Sequence, residues 1–529
     1  MTSAGLRKHT IMRIRFALAL VAYISVGHAA PPLINTTSGL LQGSEVDGLL
    51  TFKGIRFGQP ANGSLRWEPP VPFTSTALQT TTSFPPACVQ MFPFNVAALN
   101  IRLFNNPANP PAESEDCLFL NVWAPPPQAQ KRPVLVWIYG GALAFGTASL
   151  PSYDGASIAA NQSVVVVTFN YRTNIFGFPK SPDLPIAGNN LGFLDQELAM
   201  RWVQLNIAQF GGDPSQVTIM GQSAGALSVS LALARHTPAD APFRAGIMLS
   251  GAQPSTNPNP SFTAFNNFAV AVGCKQAPGS ARLACLKKVS TSVIRNYTNG
   301  PSSGAFTYIV DNVTAFADPL QRIRSGLTAR VPFMVGHTQD DGTLFAVGQT
   351  NLAVYLATTF GGLVTVSQMR ALYPGLNDNQ VIAEIINAFE FLCPAELWSG
   401  AAVGAGTPSV FRYAYGPVFA DLQKYPNAGA WHSSELPEIF GTFNRSTATA
   451  PEATLSATMQ TLVANFVKNP TIAPAPNWAK YLPGNTTTTL AKLGYNGNVL
   501  TTNVVQPAES HSLDGPCDSF WNAFLDVRV

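Results

Sequence analysis

Phe210-Gly211-Gly212-Asp213-Pro214-Ser215-Gln216-Val217-Thr218-Ile219-Met220-Gly221-Gln222-Ser223-Ala224-Gly225 is the stretch on which the reading of this chain turns. Val217 to Met220 is a short apolar run of strand type, and Ala226 to Ala234, just beyond Gly225, reads as a buried helix. Strand, sharp turn and helix follow one another with Ser223 at the apex. A serine at such a turn sits on strained backbone with its hydroxyl presented rather than packed, and glycines two residues to either side let strand and helix approach. The same five-residue pattern recurs at Gly300-Pro301-Ser302-Ser303-Gly304, but no apolar run precedes it and proline fixes the residue before the serine. That second match reads as a loop, so Ser223 is the candidate nucleophile.

Outward from this turn, short β-branched or aromatic runs recur at Val134 to Tyr139, Val164 to Phe169, Gly246 to Leu249, Val331 to Val335 and Val410 to Tyr415. Continuous apolar runs suit strands covered on both faces. Helical segments lie between them at Asp195 to Ile207, Ala226 to Ala234 and Phe262 to Val272. The alternation predicts an α/β fold, a mostly parallel sheet with helices on both faces, whose ligands sit at the carboxyl ends of the strands. Thr51 to Pro60 reads as smaller antiparallel strands leading in.

The longer stretch around Ser223, with its upstream Phe-Gly-Gly, resembles the signature of the type-B carboxylesterases and lipases, a branch of the α/β-hydrolase superfamily. The resemblance covers essentially the whole chain beyond residue 30 and implies the α/β-hydrolase fold with long loop insertions. It also implies a chain order of nucleophile, acid and base. A serine hydroxyl needs a base to take its proton and a carboxylate to orient that base. Four histidines lie beyond residue 30: His236, His337, His432 and His511. His236 ends the helix after Ser223, where a surface or capping role is expected, and His511 sits in a polar tail. His432, in Trp431-His432-Ser433-Ser434-Glu435-Leu436-Pro437, resembles the family's histidine segment and is the expected general base and acid.

The acid is expected after the run Val331 to Val335, in Gln339-Asp340-Asp341-Gly342. Members of the family usually carry Asp-Glu-Gly here, so Asp341 takes the glutamate's position with one methylene fewer, and Asp340 is its nearest competitor. Either the loop moves inward or the bond to His432 lengthens. His337 reads as local scaffolding. The strand ending in Gly140-Gly141-Ala142 resembles the family's oxyanion turn, which implies backbone donors from Gly141 and Ala142 together with Ala224. By the same resemblance Ser250 lies behind the acid and base or is purely structural, and Arg66 with Glu115 and Arg172 with Asp195 are ion pairs that hold the fold.

The first thirty residues carry Arg7, Lys8, Arg13 and Arg15, an apolar run from Phe16 to Val26 and a small-residue end at Gly27-His28-Ala29-Ala30. They read as a secretory signal peptide, too short in its apolar part for the roughly twenty residues that span a bilayer. Residues 31–529 then read as a single domain. Without the four leader cations, 31 basic and 28 acidic residues become 27 and 28, because residues 1–30 hold no Asp or Glu. A near-neutral chain with no basic patch argues against nucleic acid as a partner.

Sequons at Asn35, Asn62, Asn161, Asn296, Asn312, Asn444 and Asn485 suit a glycosylated surface. Six cysteines in a secreted chain read as three disulfides; the resemblance implies Cys88 with Cys117, Cys274 with Cys285 and Cys393 with Cys517. None has metal-ligand spacing, and neither a metal nor an organic cofactor is expected.

The loop between Cys88 and Cys117 carries Phe92, Val96, Leu99, Ile101, Leu103 and Phe104. In the family this loop forms a lid over lipases and part of the choline gorge of cholinesterases. It has no tryptophan to cage a quaternary ammonium, and Gln222 stands where cholinesterases carry glutamate, so cholinesterase activity is not expected. The apolar side chains suit either a lid that contacts lipid or plain packing on the domain. The expectation is therefore a secreted carboxylic-ester hydrolase acting on lipid-like or other apolar esters. A feruloyl-type aryl esterase, a sterol esterase, or a non-catalytic adhesion protein on the same fold are the alternatives.

Overall fold

In the computed structural model the described residues are 1–2, 31–126, 128–254, 259–484, 487–495 and 504–526. The leader reading at residues 3–30 and the sequon at Asn485 lie outside them. Within Pro32–Val529, which forms one compact unit, an eleven-stranded sheet runs in the spatial order Val505–Ala508, Leu490–Leu493, Val410–Tyr415, Phe333–Thr338, Ala245–Leu249, Gly212–Gln222, Arg132–Ile138, Val165–Phe169, Phe119–Ala124, Leu49–Arg56 and Ser44–Val46. Leu490–Leu493 through Val165–Phe169 pair in parallel, and the strands at both edges turn antiparallel. Strands Val165–Phe169, Ala245–Leu249 and Val410–Tyr415 are buried along their whole length, as their uninterrupted apolar runs require.

Several boundaries differ from the sequence reading, and two elements show why. The run at Val331 forms a strand only from Phe333 to Thr338, because Pro332 has no N–H to give the ladder and contributes only its carbonyl, to the Gly246 amide. The same strand continues into Gly336-His337-Thr338, polar residues kept in it by pairing with Tyr413 to Tyr415. The helix expected from Asp195 begins at Leu191. Its cap residue Asn190 is of a type preferred at a helix start, but its side chain bonds Ile309 and Thr314 and not the helix amides.

All three disulfides pair as the resemblance implied. Arg66 binds Glu115 through Nε and Nη2 at 2.7 and 2.5 Å, and Arg172 binds Asp195 at 2.9 and 2.8 Å, each pair buried and bidentate. Breaking such a pair strands a buried charge. Leu49–Arg56 joins the main sheet, and Leu33–Thr36 with Gly39–Gln42 forms the antiparallel lead-in. Among the described residues no helix is long and apolar enough to cross a membrane.

Candidate active site

Strands Arg132–Ile138, Gly212–Gln222, Ala245–Leu249 and Phe333–Thr338 all end at the same edge of the sheet, and the chain leaves that edge through Gly140, Ser223, Ser250 and Asp341. Parallel strands in register impose this convergence. Ser223 has φ 57° and ψ −124°, and the helix Ala224–Arg235 starts at the next residue, two earlier than its apolar pattern suggested. The turn is clamped by the Ser223 amide donating to the Leu249 carbonyl (2.9 Å) and the Leu227 amide donating to the Ser223 carbonyl (2.9 Å). A Cβ at Gly225 would lie 2.0 Å from the Ile138 carbonyl oxygen, and one at Gly221 would lie 2.3 Å from the Gly225 backbone. Both glycines are there for close approach. The match at Gly300 to Gly304 lies past the end of helix Thr291–Thr298, in loop and turn.

His432 and Asp341 meet across the edge. His432 Nδ1 lies 2.7 Å from Asp341 Oδ1, and Asp341 Oδ2 accepts the Thr338 amide at 2.9 Å. Asp341 is fully buried, so its charge is satisfied by these two donors. Asp340 does a different job. Its Oδ2 accepts the Ala430 amide at 2.8 Å and its own amide donates to the Ala430 carbonyl at 3.0 Å, which ties the histidine loop to the acid loop. Phe391 and Phe345 pack on the imidazole, with ring centroids 4.7 and 5.1 Å away.

Gln222 makes a contact that the sequence did not signal. Its Nε2 lies 3.1 Å from His432 Nε2. The amide N–H donates, so His432 Nε2 is the acceptor and Nδ1 carries the proton toward Asp341, the tautomer a general base needs. Ser223 Oγ and His432 line one cavity, yet the imidazole acceptor is held by Gln222 rather than by the hydroxyl. Gly141 (φ +108°) and Ala142 (φ +56°) line the same cavity. The Gly141 carbonyl accepts the amides of Ala144 and Phe145, which fixes the turn. Ala224, first in its helix, has an amide with no intrahelical acceptor.

Ser250 is buried at φ 50° and donates its amide to the Gly336 carbonyl at 2.8 Å. Its Oγ finds no partner among the described residues, so it bonds neither Asp341 nor His432. The other histidines fall where the sequence put them. His236 pairs with Glu197 at the helix end, His511 is exposed beside Asp518, and His337 is a buried strand residue whose pKa burial pushes down to about 4. Glu435, three residues past His432, was missed as a feature: it is fully buried, and desolvation and the charge of Asp341 push its pKa up to about 8. Glu396, Asp514 and Cys517 come within metal-ligand reach of one another. That set does not fit a metal, since the Cys517 sulfur is in a disulfide and both Asp514 oxygens are taken by Arg412.

The cavity has two lobes that meet at Ser223, Ala142 and Phe345. One lobe, of about 300 Å³, is roofed by the Cys88–Cys117 loop through Pro93, Val96, Leu99 and Phe104. In that loop helix Ala97–Phe104 packs Leu99 and Leu103 toward Leu344 and Trp431, and Ile101 toward Phe145. Phe94 and Val96 stay exposed. The second lobe, of about 560 Å³, runs past Ser250, Thr307 and Glu390.

A family model described as the carboxylesterase family matches residues 30–369. Carboxylesterase 1C of Rattus norvegicus is 30% identical over 492 residues, 86% of this chain and 89% of its own. Chlorogenic acid esterase of Aspergillus niger is 31% identical over 472 residues, 86% of each. Para-nitrobenzyl esterase of Bacillus subtilis (strain 168) is 30% identical over 473 residues, 85% of this chain and 92% of its own. The solved structure of a PNB esterase superposes with a TM-score of 0.74 at 27% identity, over 92% of this chain and 98% of that one. With the strand–serine–helix turn, the sheet order and these matches in agreement over most of its length, the chain belongs to the carboxylesterase family of α/β-hydrolases and is a carboxylic ester hydrolase.

Proposed function

We propose that the chain is a secreted, glycosylated serine hydrolase that works through an acyl-enzyme on Ser223, with His432 as base and acid and Asp341 as its orienting carboxylate. The observation that carries this reading is the 2.7 Å bond from His432 Nδ1 to buried Asp341, with Nε2 left as an acceptor in the cavity that holds Ser223. Ser223 Oγ attacks the ester carbonyl carbon while its proton passes to Nε2. The amides of Gly141, Ala142 and Ala224 take the developing oxyanion. The tetrahedral intermediate collapses, the alkoxide leaves with the proton from Nε2, and water activated by the same nitrogen releases the acid. No step calls for a metal or an organic cofactor. Nε2 must leave Gln222 before it can serve the serine.

The apolar lobe under the Cys88–Cys117 loop supports lipid-like or other apolar esters as substrates, and exposed Phe94 and Val96 are the points through which that loop would touch a lipid interface. An aryl esterase of feruloyl type is the second reading, favoured by Ser250, Thr307 and Glu390 in the otherwise mostly apolar wall of the larger lobe and by the likeness to a chlorogenic acid esterase. Secretion rests on the leader, on the three disulfides and on exposure of Asn35, Asn62, Asn161, Asn296, Asn312 and Asn444. A binding-only role fits poorly with an assembled acid–base pair beside a strained serine.

Initial rates on 4-nitrophenyl esters from acetate to palmitate, with Ser223→Ala alongside, test the reading. Activity lost in the variant supports it, and the chain-length profile separates a short-acyl or aryl esterase from a lipase. Equal rates in both proteins would refute Ser223 as the nucleophile.

A further inference from the structure

The helix Asp378–Ile386 does not run smoothly into Cys393–Gly404; a six-residue π-turn, Asn387–Leu392, joins them. Such widened turns cost hydrogen-bond geometry and occur often at functional sites. Here the turn packs Phe391 on the His432 ring and sets the preceding residue, Glu390, in the wall of the larger lobe beside Ser223 and Ser250. Glu390 is open to the space of that lobe, yet protein surrounds it closely enough that desolvation raises its pKa. Among the described residues it enters none of the ion pairs or side-chain hydrogen bonds of the fold, unlike Glu115, Asp195 and Asp514, which Arg66, Arg172 and Arg412 hold. Exposed to the lobe and without a partner, this carboxylate is free to accept from a bound donor.

The two lobes therefore differ in one chemical respect. Pro93, Val96, Leu99, Phe104 and Phe145 give the smaller lobe an apolar wall without a carboxylate, whereas the larger lobe carries Glu390 with Thr307 and Tyr355. An ester whose carbonyl sits at Ser223 extends one arm into each.

We propose that Glu390 is a specificity-determining residue: it accepts the hydrogen-bond-donating end of the substrate, a hydroxyl or an ammonium group, in the larger lobe, while the apolar arm lies under the Cys88–Cys117 loop. The proposal rests on the reading of Ser223 as the reacting centre. It selects esters of one amphiphilic class, apolar on one side of the ester bond and carrying a donor on the other, and it selects against a carboxylate at that end.

The test uses the full chain and matched esters: ethyl 3-arylpropanoates and 3-arylpropyl acetates whose ring bears a para-hydroxyl, a para-aminomethyl, a para-carboxylate or hydrogen, so that the donor can enter from either side of the bond. Affinity is read by calorimetry on Ser223→Ala, and kcat/KM on the unsubstituted protein. A preference on the order of tenfold for the donor-bearing esters over the plain ring is expected, with the carboxylate weakest. In the Glu390→Leu variant the preference disappears; in Glu390→Gln the hydroxyl preference persists in weakened form and the ammonium preference is lost. The same preferences before and after Glu390→Leu, or none in the starting protein, overturn the proposal. Hydrolysis of 4-nitrophenyl acetate that persists undiminished in Ser223→Ala would instead sink the nucleophile assignment, and the calorimetric ratios would still decide the role of Glu390.

Discussion

Replacing Asp341 by Asn tests the proposed chemistry most directly, because the outcome depends on which atom faces the imidazole. Asp341 offers Oδ1 to His432 Nδ1 at 2.7 Å and Oδ2 to the Thr338 amide at 2.9 Å. Asparagine has one oxygen for two donors. If that oxygen stays with Thr338, the amide NH₂ faces Nδ1, the ring must carry its proton on Nε2, and Nε2 can no longer receive the proton of Ser223. If the amide turns over, the buried Thr338 amide faces NH₂ and loses its acceptor, at about 1–3 kcal/mol. In either arrangement the imidazolium formed during attack loses its counter-charge, a charge-assisted bond worth about 1.5–3 kcal/mol. The sum is about 2.5–6 kcal/mol, a fall of roughly 10²–10⁴ in kcat. Burst and steady-state kinetics on 4-nitrophenyl butyrate measure it, with KM expected to change little. Asp340→Asn is the control, since an asparagine oxygen can still accept the Ala430 amide and kcat should fall by less than about tenfold. If Asp341→Asn keeps more than a tenth of wild-type kcat, or Asp340→Asn is the worse of the two, the assignment of the acid is wrong.

Further outcomes follow from the same geometry. Gln222→Ala frees His432 Nε2 from its 3.1 Å amide bond, and because Asp341 already orients the ring, phosphonylation of Ser223 should speed up by roughly two- to tenfold; a slower reaction would mean that Gln222 is needed to hold the base. Gly225→Ala drives a methyl to 2.0 Å from the Ile138 carbonyl oxygen, and chemical denaturation should show a loss of about 2–4 kcal/mol; an unchanged midpoint would refute the close-approach account. Glu435, raised from 4.5 to about 8 by burial and Asp341, binds its proton more tightly when folded. The stability it contributes is fully present below pH 4.5 and is lost as pH rises through 8. Glu435→Gln cannot ionise, so its unfolding free energy in chemical denaturation should gain on wild type from pH 5 to 9, by an amount on the order of 2–4 kcal/mol, and parallel stability curves across that range would contradict it.

What was legible in the sequence was what one short segment decides by itself. The Ser223 turn, the central strands and the histidine loop all carry their signal within a few residues: an apolar run, a glycine that nothing else can replace, a histidine beside Glu-Leu-Pro. What was not legible depends on segments far apart in the chain meeting at one edge. Gln222 reaches His432 across 210 residues of sequence, and Glu390 reaches the Ser223 cavity from a π-turn that has no signal in the residue pattern. Glu435 stands in the histidine segment with no neighbouring pattern that marks it as buried. Its burial is set by the fold around it, which places Asp341 near enough to raise its pKa. The start of helix Leu191–Asn206 was legible in Asn190, a preferred cap residue, whereas the bonds its side chain makes to Ile309 and Thr314, more than a hundred residues away, were not.

The shorter acid shows how such distant contacts settle a question that the local pattern leaves open. With aspartate where relatives usually carry glutamate, either the loop moves inward or the bond to histidine stretches; at 2.7 Å the bond is not stretched. The loop position follows from its neighbours. A Cβ at Gly342 would lie 1.9 Å from the Ala383 carbonyl oxygen, so the turn after Asp341 is pressed against helix Asp378–Ile386 as closely as a glycine allows. Asp340 links the same turn to Ala430 by two hydrogen bonds, which draws the histidine loop toward it. The missing methylene is thus made up by backbone on both sides of the pair, and the two contacts have separable consequences. Asp341→Glu restores the family's length in a site already closed to it and must push His432 or the acid turn outward. It should lose activity despite its likeness to the relatives, and a second change that loosens the turn, Asp340→Ala, should return part of that loss. A double-variant cycle on kcat measures the coupling; additive losses would show that the acid turn and the histidine loop do not share the adjustment.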